Sequence, residues 1–297
     1  MSVQSLQAAF QQRSDAVQPR RVTRVQRGVA CEVPDLVAVE APLEIRTVVD
    51  GVDSPLSVTL RTPGEDEALA VGLLWAEGIL GEPGDLVSVR RCSSTAHVVR
   101  VELAAGRGGQ VARASRRFAS TGSCGLCGKS SLEAMTGRPL APLPVDADVV
   151  APATLHGLPA ALRRAQAAFE STGGLHAVAA FAFDGSLVDL HEDIGRHNAF
   201  DKLVGTALLA GASYLPRSIA VLSGRAGFEM VQKAAAAGIP VVAAIGAPSS
   251  LAIELAERTG ITLAGFLSAE RCNVYSHPAR IVGLAAGEAW EAVDGRA

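Results

Sequence analysis

Hydrophobic and polar positions change character several times along the chain. Residues 1–20 are polar and lack a clear period, which predicts a flexible N-terminal arm. From Val22 onward short β-branched runs appear. Leu43–Val49 and Leu56–Leu60, separated by Asp50-Gly51-Val52-Asp53-Ser54-Pro55, predict a hairpin that ends at Thr62-Pro63-Gly64. Glu65, Asp66 and Glu67 then precede Leu69, Gly72, Leu73 and Ala76, the pattern of an acid-first amphipathic helix closed by Gly78. Strands over Leu86–Arg90 and His97–Leu103 complete a β-rich α+β unit. After Ala104 the chain turns rich in Gly and Arg, and residues 104–131 are expected to form one long loop.

Pro139, Pro142 and Pro144 stiffen a connection, which places a boundary near residue 140 between a β-rich domain, 21–140, and a second domain, 141–297. The second domain alternates helix and strand. Helices are predicted at Thr154–Glu170, Arg196–Ala210, Gly227–Ala237 and Ser249–Thr259. Strands are predicted at Ala177–Phe183, Ser186–Leu190, Ser218–Leu222, Pro240–Ile245 and Thr262–Phe266. Continuous apolar strands such as Ile219–Leu222 and Val241–Ile245 are expected in a parallel sheet covered on both faces, a three-layer α/β/α arrangement. Ligands of such sheets sit beyond the strands' carboxyl ends. Those ends carry His191-Glu192-Asp193, Ser223-Gly224-Arg225, Gly246-Ala247-Pro248 and Ser268-Ala269-Glu270-Arg271.

Composition narrows the function classes. The 297 residues are 48% hydrophobic, enough for two real cores, and a net charge of -3 gives no basic excess for general nucleic-acid binding. Only Lys129, Lys202 and Lys233 are lysines among 27 basic residues, so most cations are guanidinium groups suited to oxyanions. The early arginines lack an accompanying signal-peptide core, and the longest apolar run, Ile239–Ala247, is far too short for a membrane span. Five cysteines, an odd and sparse set, point to a reducing compartment and a cytoplasmic location.

Cys124 and Cys127, within Ser123-Cys124-Gly125-Leu126-Cys127-Gly128-Lys129, are spaced to exchange a disulfide and to support a reactive thiolate. Structural zinc would need two further ligands, whereas Cys31, Cys92 and Cys272 stand alone. A thioredoxin-like site would place the pair at a helix start. A zinc deaminase would need His-x-Glu upstream and a proline where Ser123 stands. Thiol chemistry without a metal, with a persulfide held on one cysteine and then surrendered, is left as the main reading.

Two other clusters are polar enough for a site. Glu192–Lys202 joins a strand to a helix, and either builds a site or stabilises the helix through pairs such as His197 with Asp201 and Asn198 with Lys202. Ser223-Gly224-Arg225-Ala226-Gly227 is a strand-to-helix turn whose amides could hold a phosphate. His176, after Gly173-Gly174-Leu175, reads as an ordinary buried histidine.

These blocks occur in a recognisable order: Thr62-Pro63-Gly64, Gly72-Leu73-Leu74, Cys124-Gly125-Leu126-Cys127-Gly128, Gly173-Gly174-Leu175-His176-Ala177, Glu192-Asp193-Ile194-Gly195-Arg196-His197-Asn198-Ala199, Ser223-Gly224-Arg225, Glu229-Met230-Val231-Gln232-Lys233 and Asn273-Val274-Tyr275-Ser276-His277-Pro278. Together they closely resemble the formate dehydrogenase accessory sulfurtransferase family, FdhD, over roughly residues 30 to 285. The resemblance implies a homodimeric sulfur carrier between a cysteine desulfurase and the bis(molybdopterin guanine dinucleotide) molybdenum cofactor of formate dehydrogenase. It implies a C-terminal domain like the cytidine deaminase fold without its zinc, and no structural metal. Cys124 corresponds to the persulfide cysteine, with Cys127 as its partner, and Phe266-Leu267-Ser268-Ala269-Glu270-Arg271 to the cofactor-binding stretch. Ser223, Gly224, Arg225, Asp193 and His197 are expected to complete that pocket, with Asp193 or Glu270 as partner of the guanine base and GDP as a mimic of the cofactor. The alternative is a binding protein that delivers the cofactor without carrying sulfur.

Overall fold

The computed structural model describes residues 15–92, 95–119, 139–144 and 149–284. Its first element is a ribbon of β1 (Val17–Gln26) and β2 (Val29–Ala38), paired antiparallel along its whole length. The expected flexible arm thus gives way to a strand from Val17. Most side chains of the ribbon are exposed on both faces, so no alternation of apolar and polar residues marks it in the sequence.

A four-stranded sheet follows, ordered β4 (Val52–Arg61), β3 (Ala41–Val49), β6 (Val98–Leu103), β5 (Leu86–Arg91). Leu43, Ile45 and Val49 on β3 and Val99, Val101 and Leu103 on β6 alternate inward, the period expected when one face is packed and the other solvated. Their cover is α1 (Asp66–Ala76), which is buried nearly all round. Leu69, Ala70 and Leu74 join the sheet's core, and the far side of α1 packs on the second half of the molecule. The stretch expected as a continuous loop after Ala104 contains α2 (Gly108–Ala119). Val111 and Ala114, one turn apart, are buried against the same core, a narrow stripe easily lost among glycines and arginines.

The second half is built on a six-stranded sheet ordered β12 (Asn273–Ser276), β11 (Thr262–Gly265), β10 (Val241–Ala244), β9 (Ile219–Leu222), β7 (His176–Phe181), β8 (Leu187–Asp193). The three central strands β9, β10 and β11 are parallel, whereas β7 and β12 run against them, so the sheet is mixed. One face carries Val178, Ala220, Val242 and Leu263 under α5 (Arg196–Leu209), α6 (Phe228–Ala236) and α7 (Ser250–Thr259). The other carries Ala179, Val221 and Ala243 under α3 (Pro152–Ala165), which is separated by Gln166 from the short α4 (Ala167–Thr172). Three layers result. Among the described residues, no helix is long and apolar enough to cross a membrane.

The two halves meet most closely where α1 crosses α5. A Cβ on Gly72 would overlap the Asp201 carbonyl oxygen, and one on Gly205 would overlap that of Ala68, so glycine at both positions lets the backbones touch. Trp75 donates its indole N–H to the Ala236 carbonyl at 2.7 Å and joins the cores of both halves.

Candidate functional site at the carboxyl edge of the sheet

Strands β9, β10 and β11 end on one edge, followed by Ser223–Gly227, Ile245–Ser249 and Phe266–Arg271. Two successive antiparallel pairings return β8 to the same direction, so Asp193 also ends there, opposite His176 at the start of β7. The loops are stitched together by backbone. Gly246 N–H donates to Gly224 O at 3.0 Å, Phe266 N–H to Gly246 O at 3.1 Å, and Ala226 N–H to Ala247 O at 3.2 Å. Such a lattice leaves little room, and a Cβ on Gly265 would lie 2.7 Å from Pro248 Cδ. Ser223 spends its hydroxyl on Ala177, accepting that N–H at 2.8 Å.

The segment after β11 has a shaped surface. Leu267 is buried and anchors it, while Phe266 adopts the left-handed conformation (φ 52°) with 41% of its surface exposed. A non-glycine residue held there stores strain, as binding loops commonly do. Ser268 closes a turn: its N–H donates to Arg271 O at 2.9 Å, its hydroxyl oxygen accepts from Arg271 N–H at 3.1 Å, and His156 Nδ1 holds its carbonyl at 2.9 Å. Ala269, Glu270 and Arg271 are exposed beyond the turn, and Arg225 is exposed on the neighbouring loop.

Asp193 and His197 are placed differently. Asp193 is completely buried, and its carboxylate accepts from Thr62 N–H (3.1 Å), Lys202 Nζ (2.7 Å), Gly195 N–H (2.8 Å) and Asn198 Nδ2 (3.0 Å). Those contacts use the acceptor capacity of a carboxylate, so Asp193 joins the two halves and has nothing left for a base. His197 faces a cavity of about 490 Å³ between the halves, lined also by Thr59, Leu73, Phe118 and Asp201. It pairs with Glu229 on α6, and Asp201 pairs with Lys233 on the same helix. The pairs foreseen within α5 are therefore replaced by partners on other elements. Burial raises the Asp201 carboxyl pKa to about 6 against the opposing charge of Lys233.

A second cavity, of about 420 Å³, opens beside the edge and is lined by Gln166, Phe169, Leu175, His176, Ile194 and Ser223. Of these, the sequence reading named Ser223 as a site residue but took His176 for an ordinary buried histidine, because the remaining walls come from α4, the start of β7 and the turn after β8, far apart in the chain. Cys124 and Cys127 lie outside the described residues. Cys31, Cys92 and Cys272 form no disulfide among the described residues, and burial pushes the Cys272 pKa up, which makes it a poorer nucleophile. Among the described residues, no three His, Cys, Asp or Glu side chains gather as a metal site.

Comparison with known proteins agrees with this architecture. The FdhD/NarQ family model matches residues 38–282. A sulfur carrier protein FdhD of Streptomyces coelicolor is 48% identical over 272 residues, covering 88% of this chain and 94% of its own. Another, of Mycolicibacterium paratuberculosis, is 46% identical over 269 residues, covering 88% and 97%. Among solved structures, one described as a formate dehydrogenase accessory protein from Desulfotalea psychrophila superimposes with a TM-score of 0.70 at 25% identity, covering 90% of this chain and all of that one. On the match of its sequence and the likeness of its fold, the chain belongs to the FdhD/NarQ family.

Proposed function

We propose that this protein is a cytoplasmic sulfur carrier that takes sulfane sulfur from a cysteine desulfurase and passes it to the bis(molybdopterin guanine dinucleotide) cofactor destined for formate dehydrogenase. The Cys124 thiolate attacks the outer sulfur of the desulfurase persulfide, whose S–S bond breaks as the desulfurase thiolate leaves. Cys124 then carries a persulfide. Attack by the Cys127 thiolate on the inner sulfur releases that outer sulfur as sulfide for the molybdenum and leaves a Cys124–Cys127 disulfide. The pair supplies the two electrons for this reduction, and a cellular dithiol resets it.

The substrate cofactor belongs at the carboxyl edge. The observation that carries this reading is the combination of an exposed, strained Phe266 with exposed guanidinium groups at Arg225 and Arg271. An apolar ring offers a platform for a flat heterocycle, and the guanidinium groups suit its pyrophosphates. With Asp193 committed elsewhere, Glu270 is the acid placed to accept the N1 and N2 donors of guanine. We further propose that the protein works as a two-fold homodimer, the arrangement its family resemblance implied.

The test is intact and peptide mass after incubation with a desulfurase and cysteine. One added sulfur on the peptide containing Cys124 is the expected result. A protein that prefers GDP to ADP yet never gains sulfur would instead be a binding chaperone.

A further inference from the structure

The turn that follows β11 is closed by its own polar groups. Ser268 N–H donates to Arg271 O at 2.9 Å, and the Ser268 hydroxyl oxygen accepts from Glu270 N–H at 3.4 Å and from Arg271 N–H at 3.1 Å. Just before it, Phe266 N–H and Leu267 N–H are tied to Gly246 O at 3.1 Å and Ala244 O at 3.0 Å. From Ser268 to Arg271 a single hydrogen bond reaches another element among the described residues. It runs from His156 Nδ1 to Ser268 O, is 2.9 Å long, and joins positions 112 apart in the chain. A turn closed on itself keeps its shape without that bond. Its direction is another matter, and that direction decides where the exposed Glu270 and Arg271 are carried.

His156 stands on a firm base. It lies on α3 beside Leu155 and Leu158, which are buried in the same core as Leu267. Helix and turn therefore share one packed foundation, and the half-buried ring bridges them above it. A carbonyl oxygen only accepts, so Nδ1 carries the proton and donates. A donor on a packed helix holds a binding loop in place far better than one on another loop, because its own rotamer is locked by its neighbours. Through Ser268 the ring acts on Glu270 and Arg271 with no hydrogen bond to either.

We propose that His156 is a positioning residue, whose Nδ1–H, delivered from α3, holds the Ser268 turn so that Glu270 and Arg271 face the ligand edge. The inference rests on the reading that this edge takes a guanine dinucleotide moiety. It adds a residue from the helical layer, outside both the edge loops and every sequence block described above.

Hydrogen exchange read by mass spectrometry, together with calorimetry using GDP and ADP, tests it on full-length wild type, His156→Leu and His156→Asn. Leucine fills space without a donor, whereas asparagine keeps an N–H on the atom attached to Cγ, as Nδ1 is. His156→Leu is expected to speed exchange in the peptide covering Leu267–Cys272, with the rest of the chain as in wild type. It is also expected to weaken GDP binding roughly threefold to tenfold, the effect of one hydrogen bond. His156→Asn should restore most of both. Because the effect runs through the turn, His156→Leu should matter less in an Arg271→Ala background than alone. Should the leucine variant not fold, His156→Gln, which moves the N–H a carbon further out, takes its place with the same expected losses. Unchanged exchange of the turn, equal losses in the leucine and asparagine variants, or losses that simply add to those of Arg271→Ala would overturn the proposal. Equal affinity of wild type for GDP and ADP would reject guanine recognition instead, and exchange of the turn would still decide whether His156 holds it.

Discussion

At His191, burial alone would drive the ring to its neutral form, but Asp189 at 3.2 Å and Glu65 at 2.9 Å hold its pKa up, at about 9. Glu65 reaches it from the other half of the molecule in a left-handed conformation (φ 57°), and Tyr214 donates to Asp189 at 2.8 Å. The sign of the linkage follows from the two states. The folded ring keeps its proton to about pH 9, whereas the unfolded ring loses it near the ordinary 6.5, so the stabilisation is complete below 6.5 and fades as pH rises through 9. Chemical denaturation of His191→Gln should show a loss of roughly 3 kcal/mol at pH 6 and a flattened pH dependence between those two values. A parallel pH profile in the variant would remove His191 from this role. The cysteines make a separate residue-level prediction. In formate dehydrogenase maturation assays Cys124→Ala should be inactive and Cys127→Ala milder, while equal loss from both would mean an obligatory pair.

The crossing of α1 and α5 depends on two missing methyl groups. Gly72→Ala should cost about 3 kcal/mol or more, above the usual range for overpacking because the obstacle is the backbone of α5 and not a movable side chain. Urea titration at constant m-value reads this directly, and an unchanged midpoint would mean that the helices separate without penalty. The same contact shows where sequence reading reached its limit. Gly72 and Leu69 announce a helix, but only its partner 129 or more residues away explains why a glycine sits in its middle. Strands β3 and β6 were legible because one face is wet, and β9 and β10 because both are dry. Strand β12 has only four residues, one exposed, two half-buried and one buried, too short for either pattern to mark it. At the edge, parallel apolar strands followed by polar turns bring Ser223–Arg225 and Phe266–Arg271 to the same side of the sheet. The burial of Asp193 was not readable, since its partner Thr62 is 131 residues distant. Nor was the pairing of His176 with the Ser223 turn, which needs the antiparallel register of β7.

At the scale of the whole molecule, the β1–β2 ribbon leaves apolar side chains in water. Val25 and Val29 near its tip are 70% and 67% exposed, and beyond its contact with α4 a two-stranded ribbon is marginal in water. Light scattering at micromolar concentration should find a dimer, and a monomer mass throughout would reject that assembly. The seam between the halves has another consequence, which concerns how the gene can be divided. The proline-rich connection belongs to the second half: Leu143 N–H donates to Thr259 O at 2.9 Å, and the buried Arg280 holds the Pro144 and Gly260 carbonyls. A fragment beginning at residue 139 would keep those contacts yet present Asp193 and Lys202 without Thr62, and α5 without its cover. Neither half should accumulate alone in soluble form. Expressed together as separate chains, they should recover each other through the α1–α5 glycine seam, and co-purification of the two fragments, lost when Gly72→Ala is introduced, would show that this molecule divides into pieces only in pairs.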